Sequence, residues 1–223
     1  MPPVYADGDN AAMQPAFADL YITGTDTEIG KTFVTCALLR EARNAGRRII
    51  GMKPVASGCT ESADGWRSED TLAHIDADGI DSAAYADRNP YALPLPVAPE
   101  IAAREAGVEI DLTRISRAHA RLRAGHEGVL VEGVGGWLSP VTETLEQADI
   151  ARALGLPVLM VVGMRLGCVH QARATQAAIR ADGCDFTGWI ANPVDIDMAR
   201  YGDNLAILER VLGMPPLRVM ARG

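Results

Sequence analysis

Leu20-Tyr21-Ile22-Thr23-Gly24-Thr25-Asp26-Thr27-Glu28-Ile29-Gly30-Lys31-Thr32-Phe33 changes character twice within fourteen residues. The apolar run Leu20 to Ile22 reads as a buried strand that ends at Thr23-Gly24. From Phe33 to Ala45, apolar residues recur at helical spacing (Val34, Ala37, Leu38, Ala42, Ala45) until Gly46 stops the pattern. Between them lies a loop whose chemistry depends on that strand–loop–helix setting. Gly30 lets the backbone curl so that consecutive N–H groups face an anion at the helix start, where the peptide dipoles favour negative charge. Lys31 would reach the β- and γ-phosphates of a nucleoside triphosphate, and the Thr32 hydroxyl would ligate Mg²⁺. Five residues separate Gly24 from Gly30, where the strict G-x-x-x-x-G-K-T pattern has four. Thr25 therefore stands where the first glycine would be.

Outward from this loop the same alternation repeats. Ile49 to Met52, Gly128 to Val131, Pro157 to Val162 and Phe186 to Ala191 are short, nearly continuous apolar runs, as expected of strands covered on both faces. Helical patterns fall at Leu112 to Ala124, Leu145 to Leu154, Cys168 to Ala181 and Tyr201 to Leu212. Strands alternating with helices predict an α/β fold, a mostly parallel sheet flanked by helices, in the manner of P-loop nucleotide-binding proteins. The stretch Ala56 to Pro99 is rich in Gly, Ser, Asp and Pro and carries one short helical pattern near Asp70. It reads as a long functional excursion over the sheet edge. With no repeat or linker, residues 19–223 read as a single domain, and residues 1–18 as a flexible leader without the features of a signal peptide.

The chain has 223 residues, 48% of them apolar and only 5% aromatic, so Leu, Val, Ile, Ala and Met must fill the core. Met52, Met160 and Met164 read as core filling. The formal net charge of −8 argues against nucleic-acid binding, since an acidic surface repels a phosphate backbone. No apolar run reaches the roughly 18 residues a membrane helix needs, which predicts no membrane partner and a cytoplasmic protein. Cys36, Cys59, Cys168 and Cys184 have no metal-ligand or C-x-x-C spacing and read as reduced thiols. The histidines His74, His119, His126 and His170 are scattered and receive no catalytic role.

Phosphoryl transfer also needs acids for the metal and cations for the charge. Val129-Leu130-Val131-Glu132-Gly133 ends an apolar strand in a carboxylate, at the edge where α/β sheets present ligands. The glycines that follow, Gly133, Gly135 and Gly136, permit close backbone approach. Asp70 begins a helical pattern, so it is either a metal carboxylate or merely a first-turn acid. Lys53 ends the second strand on the same edge as the phosphate loop. Beside a triphosphate its charge could neutralise what develops during transfer.

Three segments taken together, GTDTEIGKT (24–32), KPVASG (53–58) and VEGVGGW (131–137), resemble the dethiobiotin synthetases. Gly167-Cys168 and Trp189-Ile190-Ala191-Asn192 are also family-like, and the similarity runs from about Leu20 to Asp195. The resemblance implies an ATP- and Mg²⁺-dependent ligase acting late in biotin synthesis. In that chemistry 7,8-diaminononanoate takes up CO₂ as a carbamate and ATP phosphorylates it to a carbamic-phosphoric anhydride. The second amine then displaces phosphate to close a cyclic urea. By resemblance, Thr32, Asp70 and Glu132 form the metal shell, and Glu28, Ile29, Gly30, Lys31, Thr32 and Phe33 wrap the phosphates. Lys53, with Lys31, takes the catalytic part. Thr27 and Ser57 would hold the amine or carbamate end, Gly133, Val134 and Gly135 would line the nucleotide, and Asn192, with Pro193 beside it, would read the adenine. The substrate's tail carboxylate would meet a helix start near Arg165, Gly167 and Cys168 of a partner subunit, which implies a homodimer.

The chain departs from the family pattern at His170-Gln171, where Asn-His is frequent, at Pro193, where Asp is familiar, and in a short C-terminal segment. The last predicts looser discrimination of ATP from other triphosphates. Two relatives in fold are disfavoured by residues. A partitioning-type ATPase carries a lysine five residues before the loop lysine, where this chain has Asp26. A glutamine-dependent amide ligase needs a further domain that this length does not accommodate.

Overall fold

In the computed structural model, residues 19–81 and 83–221 are described; the leader expected over 1–18 lies outside them. Six strands form the central sheet: β1 (Asp19–Gly24), β2 (Ile49–Met52), β7 (Gly128–Glu132), β8 (Val158–Gly163), β9 (Phe186–Asn192) and β10 (Arg218–Val219). Their order is β10-β9-β8-β1-β7-β2, and every pairing is parallel. The five strands expected from apolar runs are all present. The short β10, beside Ile190 and Ala191, was not anticipated because two residues give no periodicity.

Period-2 alternation splits each strand between two cores. Tyr21, Val129, Val131, Met160 and Trp189 face one side, where they meet α5 (Leu112–Gly125), α6 (Gln147–Leu154), α7 (Cys168–Ala181) and α8 (Tyr201–Leu212). Leu20, Ile22, Leu130, Val161 and Ile190 face the other and meet α1 (Lys31–Asn44) through Val34, Leu38 and Leu39. Met52, Met160 and Met164 are fully buried, as read from the sequence.

The chain leaves β1 at the sheet centre, pairs two places away as β2, and returns to both flanks of β1 as β7 and β8. That reversal opens a crevice at the carboxyl ends of the strands, the usual ligand position in such sheets.

The excursion is more structured than its composition suggests. It holds β3 (Val55–Ala56) paired with β6 (Tyr91–Ala92), a hairpin of β4 (Thr60–Ser62) and β5 (Gly65–Arg67), α2 (Glu69–Asp78) and α3 (Tyr85–Arg88). A further helix, α4 (Pro99–Glu105), starts at its end with proline in the first turn. One buried ion pair ties the excursion to the sheet edge. Arg88 holds Asp78 through two hydrogen bonds of 2.6 and 3.2 Å, and Asp78 accepts the Gly51 N–H of β2 at 3.0 Å.

Candidate active site

The loop after β1 adopts the shape that Gly30 was expected to permit. Gly30 sits at φ 81°, in the left-handed region, immediately before α1. A Cβ there would lie 2.2 Å from Asn192 Nδ2, so only glycine fits. Asn192, at the end of β9, donates that amide to the Ile29 carbonyl at 2.8 Å and so fixes the loop crest against the sheet. Lys31 is the first residue of α1, nearly buried, and its Nζ donates to the Asp26 carbonyl at 2.8 Å. Burial, joined by repulsion from Lys53, lowers the Lys31 ammonium to about 8, against a smaller pull from Glu132, Asp70 and Asp26.

Thr32, on the next residue, is where three elements meet. Its hydroxyl lies 2.7 Å from Asp70 Oδ1 and 2.8 Å from Glu132 Oε1. Asp70 is held in the first turn of α2, whose cap is Ser68: the Ser68 side chain accepts the Thr71 N–H, and the Ser68 N–H donates to Tyr85 Oη at 2.7 Å. Glu132 is the last residue of β7 and completely buried. Lys53, 3% exposed, reaches between the two carboxylates, 2.6 Å from Glu132 Oε1 and 2.7 Å from Asp70 Oδ2, and donates to the Gly133 carbonyl at 3.1 Å. Its backbone is gripped on both sides. The Lys53 N–H donates to Arg88 O at 2.7 Å, and Asn89 Nδ2 donates to Lys53 O at 2.8 Å.

The electrostatics follow from that crowding. Burial alone would lower the Lys53 ammonium, but the Glu132 and Asp70 carboxylates outweigh it and hold Lys53 above the usual lysine range. Burial would raise Glu132, yet Lys53, with help from a hydrogen bond to His74, holds its carboxyl below the usual carboxylate range. The pair is ionised at neutral pH.

The cluster suits a hard divalent cation on its own terms. Three oxygens, Thr32 Oγ1, Asp70 Oδ1 and Glu132 Oε1, converge within hydrogen-bond distance, and Lys53 shows that the spot already stabilises positive charge. Mg²⁺ characteristically takes one or two carboxylates and completes its shell with phosphate and water. The adjoining loop carries Gly30 in the left-handed region directly before α1, the kind of helix start whose N–H groups and dipole favour phosphate.

Lys31, Thr32, Lys53, Asp70, Glu132 and Gly133 are thus brought together. The Val134 N–H is turned aside to Gln147 Oε1 at 3.2 Å, and Gly135 sits at φ 68° against Ser139. Thr27 and Glu28 are exposed on the loop, Glu28 at φ 56°, and Phe33 is 54% exposed at the mouth. Ser57 and Pro193 are half-buried, directly after β3 and β9. Arg165 pairs with the Asp26 carboxylate, which also accepts from Gln171 Nε2 at 3.0 Å. Gly167, at φ 95°, opens α7, but the Cys168 side chain packs fully into the core and burial raises its thiol. Beside that helix start lies an open cavity of about 640 Å³, lined in part by Leu166, Gly167, His170 and Arg173.

Sequence reasoning passed over His74, whose Nε2 lies 2.8 Å from Glu132 Oε2. The available signal was its spacing, four residues after Asp70 and therefore on the same face of α2. It also passed over Arg88 and Asn89, for which no local pattern exists.

A family model described as an AAA domain matches residues 18–222. The ATP-dependent dethiobiotin synthetase of Xanthomonas oryzae pv. oryzae is 55% identical over 201 residues, covering 90% of this chain and 88% of that protein. Its counterpart from Xylella fastidiosa is 54% identical over 200 residues, with the same coverage of 90% and 88%. Among solved structures, a ParA-family ATPase from Chlorobium tepidum superposes with a TM-score of 0.58 at 12% identity, covering 92% of this chain and 85% of that one. The MinC:MinD cell division complex from Aquifex aeolicus gives 0.56 at 12% identity, covering 92% and 82%. At such identities these two structures speak for the fold alone.

Proposed function

The chain belongs to the ATP-dependent dethiobiotin synthetase family, and from that premise we propose that it closes the ureido ring of dethiobiotin on 7,8-diaminononanoate, with CO₂ and ATP as co-substrates and ADP and phosphate as products. The observation that carries the reading is Lys53, buried between Asp70 and Glu132 and directly beside Thr32 and the loop lysine.

The roles follow from charge. A carbamate and a γ-phosphate are both anions, and bringing them to bonding distance costs Coulomb energy that fixed cations offset. Lys31 contributes from the loop and Lys53 from the end of β2. Thr32, Asp70 and Glu132 would hold Mg²⁺, which when bound would neutralise phosphate oxygens and so ease approach of the anionic carbamate to the γ-phosphorus. Glu28, Ile29, Gly30 and Phe33 surround the phosphates, and Gly133, Val134 and Gly135 line the nucleotide's other side. Asn192, already bound to the loop crest, and Pro193 stand toward the base. Thr27 and Ser57 hold the amine end, so that the free amine attacks intramolecularly with the entropy of encounter already met.

The tail carboxylate of the substrate is assigned to the start of α7 around Arg165, Gly167 and Cys168 of a second subunit. The cavity there, the positive helix end and the nearby Arg173 favour an anion, and Leu166 stands almost wholly exposed for a partner to cover. The protein is read as a cytoplasmic homodimer; among the described residues no helix is long and apolar enough to cross a membrane.

The test measures ADP release from MgATP and bicarbonate with and without 7,8-diaminononanoate, with the product identified by mass spectrometry. Diamine-dependent release and a dethiobiotin mass are expected. ATP binding or hydrolysis that ignores the diamine would overturn the assignment.

A further inference from the structure

His74 is completely buried, carries no role in the chemistry above, and touches the centre of the site. It lies on α2 one turn beyond Asp70, with Nε2 2.8 Å from Glu132 Oε2. A carboxylate can only accept, so Nε2 carries the hydrogen, and Nδ1 is buried with no hydrogen-bond partner among the described residues. The other oxygen of Glu132 does all the remaining work: Oε1 meets Thr32 Oγ1 at 2.8 Å and Lys53 Nζ at 2.6 Å. The imidazole is seated against β2 at Gly51, where a Cβ would lie 2.6 Å from His74 Cβ and 2.8 Å from Cγ. Strand β2 thus carries the residue that leaves room for the ring.

We propose that His74 is a positioning residue for the metal shell. By donating to Glu132 Oε2 from the helix that carries Asp70, it locks the rotation of Glu132 and holds Oε1 at a fixed separation from Asp70 Oδ1. Lys53 and Thr32 already span the two carboxylates through Glu132 Oε1, and the His74 bond adds the tie from α2 to the far oxygen, Oε2, that fixes how Glu132 is turned. Partners of this kind orient ligands and tune metal affinity without touching the metal. The inference rests on the reading of Thr32, Asp70 and Glu132 as the cation site, and the test separates the two.

Mn²⁺ is titrated into the full chain with ADP present, and free Mn²⁺ is followed by its electron paramagnetic resonance signal. The parent protein should bind Mn²⁺. His74→Leu, which fills space without donating, should weaken Mn²⁺ by about tenfold or more, while metal-free ADP affinity stays unchanged. His74→Gln, whose amide reaches Oε2, should recover most of the loss. If the parent binds Mn²⁺ and His74→Leu binds it equally well, or Gln rescues nothing, His74 has no positioning part. If His74→Leu does not fold by circular dichroism, His74→Asn, too short to reach Oε2, is compared with His74→Gln, and equal affinities overturn the inference. A parent that binds no Mn²⁺ with ADP overturns the metal shell itself, and this inference with it.

Discussion

Lys53→Met keeps most of the aliphatic stem and removes the charge that Glu132 and Asp70 share. Glu132 is then a fully buried carboxylate that has lost its lysine and keeps Thr32 and His74, at 2.8 Å each. Asp70 is partly exposed and can recover solvation, so the cost falls on Glu132. Breaking a buried pair from one side costs about 3–5 kcal/mol, which for a chain of this size is roughly 6–20 °C in Tm. The pH dependence has a defined sign. In the parent, the Glu132 carboxyl is depressed in the folded state, so its contribution is complete above the ordinary carboxylate range and is lost as pH falls through the depressed value. Without Lys53, burial prevails and the carboxyl is raised instead. The penalty is then present at neutral pH and is relieved as pH falls and Glu132 takes up a proton. Urea unfolding at pH 7 and about pH 5 should therefore show a gap between parent and variant that narrows on acidification. In steady-state assays of the same variant, kcat should fall about 10²–10³-fold with little change in KM for MgATP, because the charge matters most in the transition state. A loss of stability below about 1 kcal/mol, or a gap identical at both pH values, would refute the placement of Lys53 as the counter-ion of Glu132.

Three further outcomes are expected. Burial and Lys53 lower the Lys31 ammonium to about 8, and on the proposed reading its charge meets the phosphates; ADP affinity measured by calorimetry should then hold steady from about pH 7, where the terminal phosphate is mostly ionised, to about pH 8 and decline above it, Lys31→Arg should remove the bend, and a parent profile with no bend would contradict the assignment. Gly30→Ala forces a left-handed alanine, costing about 1–2 kcal/mol, and drives a methyl into the Asn192 amide, so nucleotide binding should be lost while the sheet stays folded; unaltered ADP affinity would show that the loop is not the cradle. Arg88→Met strands the buried Asp78 and should lower the urea stability by about 3–5 kcal/mol, whereas a change under about 1 kcal/mol would mean that the excursion is anchored elsewhere.

Much of the architecture was legible because the signals are local. Each central strand except β10 is a continuous apolar run, and each long helix repeats at 3.6 residues, so neither needs tertiary information to be read. Boundaries moved slightly: α6 begins at Gln147 rather than Leu145, since Glu146 and Asp149 form a reciprocal cap that the apolar pattern does not register. The short pairing of β3 with β6 and the helix α4 just beyond the excursion were missed, because elements of two to seven residues carry too few periods to stand out.

The site divides along the same line. The sequence alone determined the phosphate loop, since a glycine, a lysine and a threonine at fixed spacing between a strand and a helix act through the local backbone. It also determined that Glu132 ends a strand and that Lys53 lies on the same edge. Tertiary structure decided what those residues do to one another. Asp70 was indistinguishable from a helix-capping acid until α2 was laid against Thr32, and Lys53 was indistinguishable from a solvated lysine until Arg88 and Asn89 gripped its backbone between two carboxylates. His74 acquired a partner 58 residues away only through that packing. Charge and hydrogen bonding between such residues depend on distance in space, which the fold sets by closing the chain on itself and which spacing along the sequence does not encode.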